Sequence, residues 1–342
     1  MIPEISALLT THNRAHLLPR VLEGLVRQSL DYARFEVIAI DDGSVDETPQ
    51  ILAAWQNRLP MRVVRQNQAG LATAKNLGLF MARAPLVIFL DDDDVADPDL
   101  LVEHLAAHLA DSDQAMAVLG RTTLAPEVAM IPVMNHVTKV GCQLFSYDWM
   151  KPGQMLDYTG FWGGRSSCKR ELLVRHGAFH PDFRFGCEDI ELGWRLRAHG
   201  LRVVYVPRAH TIMIRALTFD QFCERSYRQG LSQLRFARMH SDPQVRAYCE
   251  IDAAEDAWAR RRTSYAAHLR WTRKLDRLAV SRQEAGLPQH AVLQQTLDGA
   301  YREAFFLSRA KGVAAAPRPA GASSTGRTGW PSILEYGLAA VD

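Results

Sequence analysis

The first ninety residues alternate short apolar runs with longer stretches in which apolar residues recur at helical spacing. The runs are rich in β-branched residues, and the alternation is typical of a parallel sheet covered by helices. Four strands are predicted: Ile5 to Thr10, Glu36 to Ile40, Met61 to Arg65 and Leu86 to Leu90. Polar residues follow each of them. Because the carboxyl ends of parallel strands meet at one edge of a sheet, we expect a functional site at that edge.

Helices are predicted between these strands. Residues 18–26 place Leu18, Val21, Leu22, Leu25 and Val26 at helical spacing. Ser44 to Glu47 has the form of a capping box that opens a second helix. A third helix is predicted from Gly70 to Ala84, directly before the fourth strand.

The pattern is less regular in the middle of the chain. A strand is predicted at Ala115 to Leu119, and the stretch that follows is poorly patterned as far as Gly164. Long irregular segments of this kind often carry binding loops. Order returns with helices at Lys169 to His176 and Asp189 to His199, and with a strand at Leu201 to Val206.

The last third of the chain is predicted to be helical. Residues 218–311 are rich in Ala, Arg, Leu and Gln, with breaks near Pro243 and Pro288. Residues 313–329 have the composition of a flexible linker, and residues 330–342 are predicted to form a docking tail. The expected organisation is therefore a domain at 1–215, a helical appendage at 216–312, and a linker with a tail at 313–342. Within the first domain, two halves are expected, at about 1–98 and about 99–215.

Composition limits the class of protein. At 342 residues and 47% hydrophobic content the chain can bury a sizeable core. The net charge of +2 gives no bulk field that would attract nucleic acid. The five cysteines show no C-x-x-C spacing and fit reduced thiols, so a cytoplasmic protein is expected. Neither a transmembrane stretch nor a signal peptide is predicted.

Four consecutive aspartates, Asp91 to Asp94, follow the fourth predicted strand. Their mutual repulsion costs free energy unless a cation or a water-filled cleft offsets it. Oxygen ligands of this kind suit Mg²⁺ or Mn²⁺. The alternative is a solvated acidic turn that caps the helix beginning near Pro98.

Further acidic groups are expected on the same sheet edge. Asp41 and Asp42 follow the second strand, and Glu188 and Asp189 stand at a helix start. Together with the segment Thr10 to Arg14, these acids make residues 4–210 resemble the family 2 inverting glycosyltransferases. The resemblance implies an α/β GT-A fold with a mostly parallel sheet flanked by helices, here followed by the helical appendage.

The resemblance assigns donor-binding residues. The first family motif corresponds to Thr10, Thr11, His12, Asn13 and Arg14. His12 stands where an aromatic ring usually stacks on the donor base, although it could be a neighbour of a helix cap. Asp42 corresponds to the aspartate that accepts a hydrogen bond from the base, commonly uracil, which implies a UDP-sugar. A capping role in the turn is the alternative for Asp42, and Asp41 could fill that role instead.

A second donor segment runs from Gln68 to Asn76 and includes Gly70. Within it, Lys75 replaces the arginine that helps to hold the nucleotide, so the charge is kept and the guanidinium fork is lost. A surface lysine is the alternative. In the aspartate run, Asp91 and Asp93 correspond to the D-x-D metal ligands, and Asp92 falls near the ribose.

The acceptor side is assigned in the same way. Asp189 corresponds to the base that takes the acceptor proton during inversion, and Glu188 would contact the acceptor or the metal. A helix N-cap is the alternative for Asp189. His210 lies where many relatives return a histidine to the metal or pyrophosphate, with a loop residue as the alternative. Trp162, Gly163 and Gly164 resemble the loop that lines the sugar and acceptor pocket, although core packing also explains Trp162.

Two departures from the family matter. Phe179-His-Pro181 replaces the common Phe-Asp-Glu, which weakens inference about the acceptor. Processive relatives carry Gln-x-x-Arg-Trp, but Ala267 precedes Arg270-Trp271 here, so transfer of a single sugar is expected.

The sequence therefore predicts an inverting, metal-dependent glycosyltransferase that uses a nucleotide-sugar donor and a hydroxyl acceptor. Glycan, lipid-linked and protein acceptors all remain open. A nucleotidyltransferase is disfavoured, because Thr10 to Arg14 stands where a glycine-rich phosphate loop would follow the first strand. A silent scaffold that acts through its helical half is the other alternative.

The helical appendage adds predictions about partners. Its apolar positions would suit a homodimer. Its basic residues would suit peripheral contact with an anionic membrane surface, although nearby acids dilute the charge and a solvated helix face is the alternative. The basic residues are Arg260, Arg261, Arg262, Arg270, Arg273, Lys274 and Arg277.

Overall fold

A computed structural model describes residues 2–288 and 290–315. The chain forms two compact units, of which the first comprises residues 2–125 and 148–215. The second unit contains residues 126–147 and the helices that follow residue 215. Residues 126–147 were expected in the first domain, and the structure instead groups them with the helical part. The predicted tail and all but the first three residues of the predicted linker lie outside the described residues.

The first unit is built on a sheet in which the described residues contribute nine strands in the order β3-β2-β1-β4-β8-β6-β9-β5, with β7 paired to β9. The strands are β1 (Ile5–Thr11), β2 (Phe35–Asp41), β3 (Met61–Arg65), β4 (Leu86–Leu90), β5 (Asp94–Ala96), β6 (Met116–Leu124), β7 (Met155–Leu156), β8 (Ser166–Lys169) and β9 (Arg202–Met213). The first four are parallel neighbours, as the sequence predicts. Their buried side chains form the core on both faces.

The register of the parallel strands brings the predicted motifs to one edge. Thr11 pairs with Asp41 across β1 and β2, and Leu9 pairs with Leu90 across β1 and β4. The segments that follow Thr11, Asp41 and Leu90 therefore leave the sheet side by side. This arrangement confirms that the polar residues after these strands share one sheet edge.

The other half of the sheet differs from the prediction. Strand β8 pairs antiparallel with both β4 and β6. Its sequence, Ser-Ser-Cys-Lys, lacks apolar alternation, and the buried Ser166 and Ser167 hide the strand from a search for hydrophobic periodicity. Strand β9 was predicted to end at Val206 and continues to Met213, because it pairs with β6 and then with β5.

Helices cover the sheet of the first unit. They are α1 (Leu18–Val26), α2 (Thr48–Trp55), α3 (Leu71–Met81), α4 (Leu100–Ala110), α7 (Arg170–His176) and α8 (Glu188–Leu196), with α5 and α6 falling in the second unit. The predicted capping box at Ser44 is wrong, since α2 begins at Thr48. The Ser44 hydroxyl instead accepts a hydrogen bond from the backbone N–H of Asn13 at 2.9 Å. The acidic run does not cap α4 either, because β5 intervenes.

The second unit is helical. Its helices are α5 (Pro126–Ala129), α6 (Pro132–Asn135), α9 (Phe219–Met239), α10 (Pro243–Tyr248), α11 (Ile251–Arg261), α12 (Tyr265–Glu284) and α13 (Ala291–Ala315). A π-helical turn, His136–Val140, follows α6. Gly230 of α9 and Gly312 of α13 let these two helices pack closely, since a Cβ at either position would lie 2.0 Å from a backbone oxygen of the other helix. A helix long and apolar enough to cross a bilayer does not occur within 2–288 or 290–315.

Candidate active site

The segment after β1 is held by hydrogen bonds to its neighbours. His12 Nδ1 lies 2.9 Å from the backbone oxygen of Asp42, and His12 Nε2 lies 3.0 Å from the Asn13 side-chain amide. A carbonyl oxygen can only accept, so Nδ1 is the donor in the first of these contacts. Asn13 adopts a left-handed backbone with φ 53°. Thr10 is buried in the strand behind this turn.

Asp42 holds the loop that opens α3. Its Oδ1 accepts the backbone N–H of Ala69 at 2.8 Å and the side-chain amide of Gln66 at 2.7 Å. Its Oδ2 accepts the backbone N–H of Gly70 at 2.9 Å. A carboxylate has about four acceptor sites. These three bonds therefore orient Asp42 and leave it capacity to accept one more donor, as the prediction of a base contact requires.

Asp41 takes the capping role in the turn. Its Oδ1 accepts the backbone N–H of Ser44 at 2.8 Å. The prediction left this role open between Asp41 and Asp42, and in the structure it is Asp41 whose carboxylate binds the Ser44 N–H. The two neighbouring carboxylates thus have separate partners.

Each of the four aspartates lies near an arginine. Arg14 Nε is 3.2 Å from Asp92 Oδ1, and Arg215 Nη1 is 3.4 Å from Asp93 Oδ2. Arg165 Nη2 is 3.3 Å from Asp91 Oδ2 and 3.6 Å from Asp94 Oδ2. Three guanidinium groups thus partly neutralise four carboxylates. The repulsion that the sequence predicts is offset by arginines as well as by solvent.

The aspartates remain electrostatically stressed despite these arginines. Burial and the adjacent charge of Asp93 raise the pKa of Asp92 to about 7. Burial and the charge of Asp91 likewise raise the pKa of Asp93. Burial also raises the pKa of Asp94 to about 7, although Arg165 opposes the shift. Additional positive charge near these four aspartates would therefore stabilise their ionised form.

The carboxylates of the acidic run suit a divalent cation whose remaining ligands come from a bound phosphate and from water. Asp91 and Asp93 offer carboxylate oxygens, and their side chains keep 33% and 13% exposure. Within residues 2–288 and 290–315, however, no group of three or more His, Cys, Asp or Glu is arranged to hold a metal. Mg²⁺ is usually bound by one or two carboxylates together with phosphate oxygens and water, and the two aspartates match that pattern.

Asp94 has a different environment from the other three. Its Oδ2 accepts hydrogen bonds from the hydroxyls of Thr122 and Thr211, each at 3.0 Å. These threonines belong to β6 and β9. Asp94 therefore anchors the acidic run to the sheet.

Glu188 and Asp189 begin helix α8 and lie beside Lys75. The amine of Lys75 is 2.9 Å from Glu188 Oε1, and the two side chains are 3% and 4% exposed. The alternative of a surface lysine is therefore wrong. Burial disfavours the charged amine, but Glu188, Asp91 and Asp189 outweigh it and raise the pKa of Lys75. Burial and the charge of Glu188 raise the pKa of Asp189 to about 6.

The two glycines of the predicted pocket loop join the base candidate to the acidic run. The backbone N–H of Gly163 donates to Asp189 Oδ2 at 2.8 Å. A Cβ on Gly164 would lie 1.8 Å from Asp91 Oδ2, so a side chain there would collide with that carboxylate. Asp189 and Asp91 thus flank adjacent residues of one short loop. The indole of Trp162 donates to the Thr159 backbone oxygen at 2.7 Å, which fixes the ring at the loop's start.

The structure does not bring His210 to the predicted metal ligands. His210 lies within β9, where its Nδ1 is 2.5 Å from Asp97 Oδ2 and its Nε2 is 2.9 Å from the Thr123 hydroxyl. The Asp93 backbone oxygen accepts a hydrogen bond from the backbone N–H of Ile214, which directly follows β9 and lies four residues after His210. At 3.3 to 3.4 Å per strand residue, the Cα atoms of His210 and Ile214 are roughly 13 Å apart. Both the metal prediction and the loop alternative for His210 are corrected by the extension of β9.

Sequence reasoning missed Arg165 and Arg215 as members of this site. Arg165 directly follows the two glycines of the pocket loop, and that adjacency was the available signal. Arg215 follows the unpredicted second half of β9. Only the pairing of β9 with β5 brings it to Asp93.

The family model that matches this chain is described as glycosyl transferase family 2 and covers residues 6–167. A validoxylamine A glucosyltransferase from Streptomyces hygroscopicus subsp. jinggangensis (strain 5008) is 32% identical over 70% of this chain and 61% of its own. A protein of the same name from Streptomyces hygroscopicus subsp. limoneus is 28% identical over 93% of this chain and 74% of its own. The chain thus spans about three fifths to three quarters of these relatives.

Solved structures share the fold. The mannosyltransferase PcManGT from Pyrobaculum calidifontis, in complex with GDP-Man and Mn²⁺, superposes with a TM-score of 0.59 at 19% identity, covering 92% of this chain and 88% of that one. Residues 1–349 of S. aureus TarS, in complex with UDP, give a TM-score of 0.51 at 17% identity, covering 90% of both chains. These likenesses confirm the predicted GT-A fold with a helical C-terminal region.

Proposed function

Residues 6–167 belong to glycosyl transferase family 2, and from that premise we propose that this protein is an inverting glycosyltransferase that moves one sugar from a nucleoside-diphosphate sugar to a hydroxyl acceptor. The observation that carries the proposal is the hydrogen bond from Gly163 to Asp189, with Gly164 against Asp91. A base and a metal-binding carboxylate on either side of one loop are the two groups that such a transfer needs.

Asp189 is the proposed base. The acceptor oxygen attacks the anomeric carbon while its proton passes to an oxygen of Asp189, and the bond from that carbon to the diphosphate oxygen breaks on the opposite face. Inversion follows from this in-line geometry. A pKa of about 6 leaves Asp189 ionised at neutral pH and still basic enough to accept the proton. The Gly163 N–H orients the carboxylate.

The leaving diphosphate gathers negative charge as the bond breaks. Asp91 and Asp93 are the proposed ligands of Mn²⁺ or Mg²⁺, which when bound supplies electrostatic stabilisation of that leaving group. The guanidinium groups of Arg14, Arg165 and Arg215 lie on the same acidic run and are suited to phosphate oxygens.

Uracil is the base that we propose for the donor. Asp42 has acceptor capacity for the N3–H of uracil, and the turn that includes His12, Asn13 and Thr10 would cover the base and ribose together with Asp92. The TarS structure with UDP supports this choice at the level of the fold. PcManGT was solved with GDP-Man, so guanosine is the competitor that a donor test must include.

The acceptor is proposed to be a hydroxyl of a glycan, a lipid-linked glycan, a protein or a smaller glycoside. The limoneus relative aligns over 93% of this chain, which supports glucose as a donor sugar and validoxylamine A as an acceptor to test first. Transfer of a single sugar, a homodimer and peripheral membrane contact through the second unit stay predictions. A silent scaffold is disfavoured by the joint presence of Asp93, Lys75, Glu188 and Asp189 in one hydrogen-bonded and charged site.

Thermal stabilisation by nucleotides tests the proposal. The full chain is melted with UDP, GDP, UDP-glucose and GDP-mannose, each with and without Mn²⁺, since a ligand of the native state raises the melting temperature by mass action. We expect a Mn²⁺-dependent shift with uridine nucleotides that is lost in Asp93→Ala and kept in Asp189→Ala. Donor hydrolysis should be lost in both variants. No shift with any nucleotide would favour the scaffold.

A further inference from the structure

Helix α12 presents an exposed face on which three basic side chains lie beside two apolar ones. Trp271 is 46% exposed and Leu278 is 50% exposed. Arg270, Lys274 and Arg277 are exposed beside them. With 3.6 residues per turn, these five positions fall within an arc of about 120°, and Thr272 is fully buried on the opposite side. We call these five residues the α12 face.

The basic groups of the α12 face are not used in ion pairs with the described part of the chain. Arg270, Lys274 and Arg277 form no hydrogen bond or salt bridge with residues 2–288 or 290–315. Arg273, which lies at the border of the face, binds Asp220 at 2.6 Å instead. Three cations without an ion pair therefore lie beside an exposed indole.

The acids that dilute the basic charge in the sequence have other partners. The pairs are Glu250 with Arg309, Asp252 and Glu255 with Arg246, Asp256 with Arg260, and Asp276 with the Tyr301 hydroxyl. None of these carboxylates forms an ion pair with the α12 face. Asp276 does interact electrostatically with Arg277 of the face. The nearby acids therefore reduce the charge of the face at one position and do not cancel it.

The composition of the face identifies its partner. A solvated helix face would hold charged and polar groups, but an exposed Trp and Leu beside a basic stripe lose free energy in water and gain it at a lipid interface. Trp is favoured at the headgroup level, and each Lys or Arg near an anionic bilayer adds attraction. We propose that the α12 face docks the protein on an anionic lipid surface. This inference is independent of the transfer chemistry.

Vesicle binding tests the proposal. The full chain is sedimented with vesicles of phosphatidylcholine alone and with vesicles in which a third of the lipid is phosphatidylglycerol. We expect binding to the anionic vesicles that weakens with salt. Replacing Arg270, Lys274 and Arg277 with Gln should reduce the partition coefficient on the order of 100-fold. Trp271→Ala with Leu278→Ala should reduce it about tenfold, and brominated lipid should quench wild-type fluorescence more than that of Trp271→Phe.

A matched control removes the same charge elsewhere. Replacing Arg246, Arg260 and Arg261 with Gln also deletes three exposed cations of the second unit, but these are paired with acids in the structure. The control should bind vesicles nearly as the wild type does, and all variants should keep the wild-type melting transition. Equal loss in the control, or binding that does not distinguish anionic from neutral vesicles, would overturn the proposal. Wild-type dimerisation abolished by the α12 substitutions, without vesicle binding, would assign the face to a second copy instead.

Discussion

Lys75 and Glu188 form a buried ion pair between helices α3 and α8, with 2.9 Å between Nζ and Oε1. Lys75 occupies the position at which the family resemblance implies a nucleotide contact. In the structure its charge instead lies among Glu188, Asp189 and Asp91. The lysine thus joins the donor-side helix to the two acids of the acceptor side. Removing the Lys75 amine should therefore affect the proposed catalytic base Asp189 as well as nucleotide binding.

Lys75→Met should destabilise the protein by about 3–5 kcal/mol, because it leaves the Glu188 carboxylate buried without its cation. The free energy of unfolding in urea measures this loss. A double variant with Glu188→Gln removes both charges and should recover most of the stability, since a neutral pair carries no uncompensated charge. If the double variant is as unstable as the sum of the single ones, the pair does not contribute as a unit.

Asp189→Asn should lower kcat on the order of 100-fold to 10,000-fold while Mn²⁺-dependent donor binding stays unchanged, because the base acts only on the acceptor proton. For the wild type, kcat/KM should rise with pH through about 6 and level off above it, as Asp189 loses its proton. The pH profile of sugar transfer measures this rise in kcat/KM. A wild-type rate that is flat between pH 5 and 8 would remove Asp189 from the role of base.

The same titration predicts a stability effect. The pKa of Asp189 is raised on folding, so its contribution to stability is present below its unfolded pKa and is lost as pH rises through about 6. Asp189→Asn should therefore stabilise the protein at pH 7 by about 1–3 kcal/mol and change little at pH 3.5. Paired denaturation curves at the two pH values measure the difference. If Asp189→Asn and the wild type are equally stable at both pH values, folding does not raise the pKa of Asp189.

The parallel half of the sheet was predictable because its strands are apolar on both faces and its turns carry specific acids. Hydrophobic pattern alone could not reveal β8, whose buried Ser166 and Ser167 meet neighbouring strands through backbone pairing. It also could not extend β9 to Met213, because that length depends on pairing with β5. The misplacement of His210 and the omission of Arg215 both follow from that one error. Site residues next to correctly placed strands were brought together as expected.

Gly164→Ala should disturb the site without unfolding the protein. The new Cβ would lie 1.8 Å from Asp91 Oδ2, and this carboxylate is the movable end of a side chain that is 33% exposed. We therefore expect a stability loss of about 1–3 kcal/mol and a fall in transfer rate on the order of 100-fold, because Asp91 is displaced by about an ångström or more.

The matched control for this substitution is Gly299→Ala. Its Cβ would meet open space within a helix, so this variant should keep wild-type activity and gain about 1 kcal/mol of stability, since Ala is the better helix former. Mn²⁺ titrations of UDP-dependent melting shifts compare the three proteins. Wild-type Mn²⁺ dependence in Gly164→Ala would show that Asp91 takes no part in metal binding.

Asp93→Ala and His210→Ala compare the proposed metal ligand with a residue that the structure places away from the metal site. Asp93 lies in the acidic run beside Arg215, whereas His210 bonds to Asp97 and Thr123 some four strand residues away. Asp93→Ala should abolish the Mn²⁺-dependent part of the UDP-induced melting shift, because the cation loses a direct ligand. His210→Ala should lose about 1 kcal/mol or less of stability, as expected for a partly exposed pair, and should keep the full Mn²⁺ effect. If His210→Ala also loses the Mn²⁺ effect, β9 must rearrange when donor and metal bind, and the hydrogen bonds of His210 to Asp97 and Thr123 belong to the unliganded protein alone.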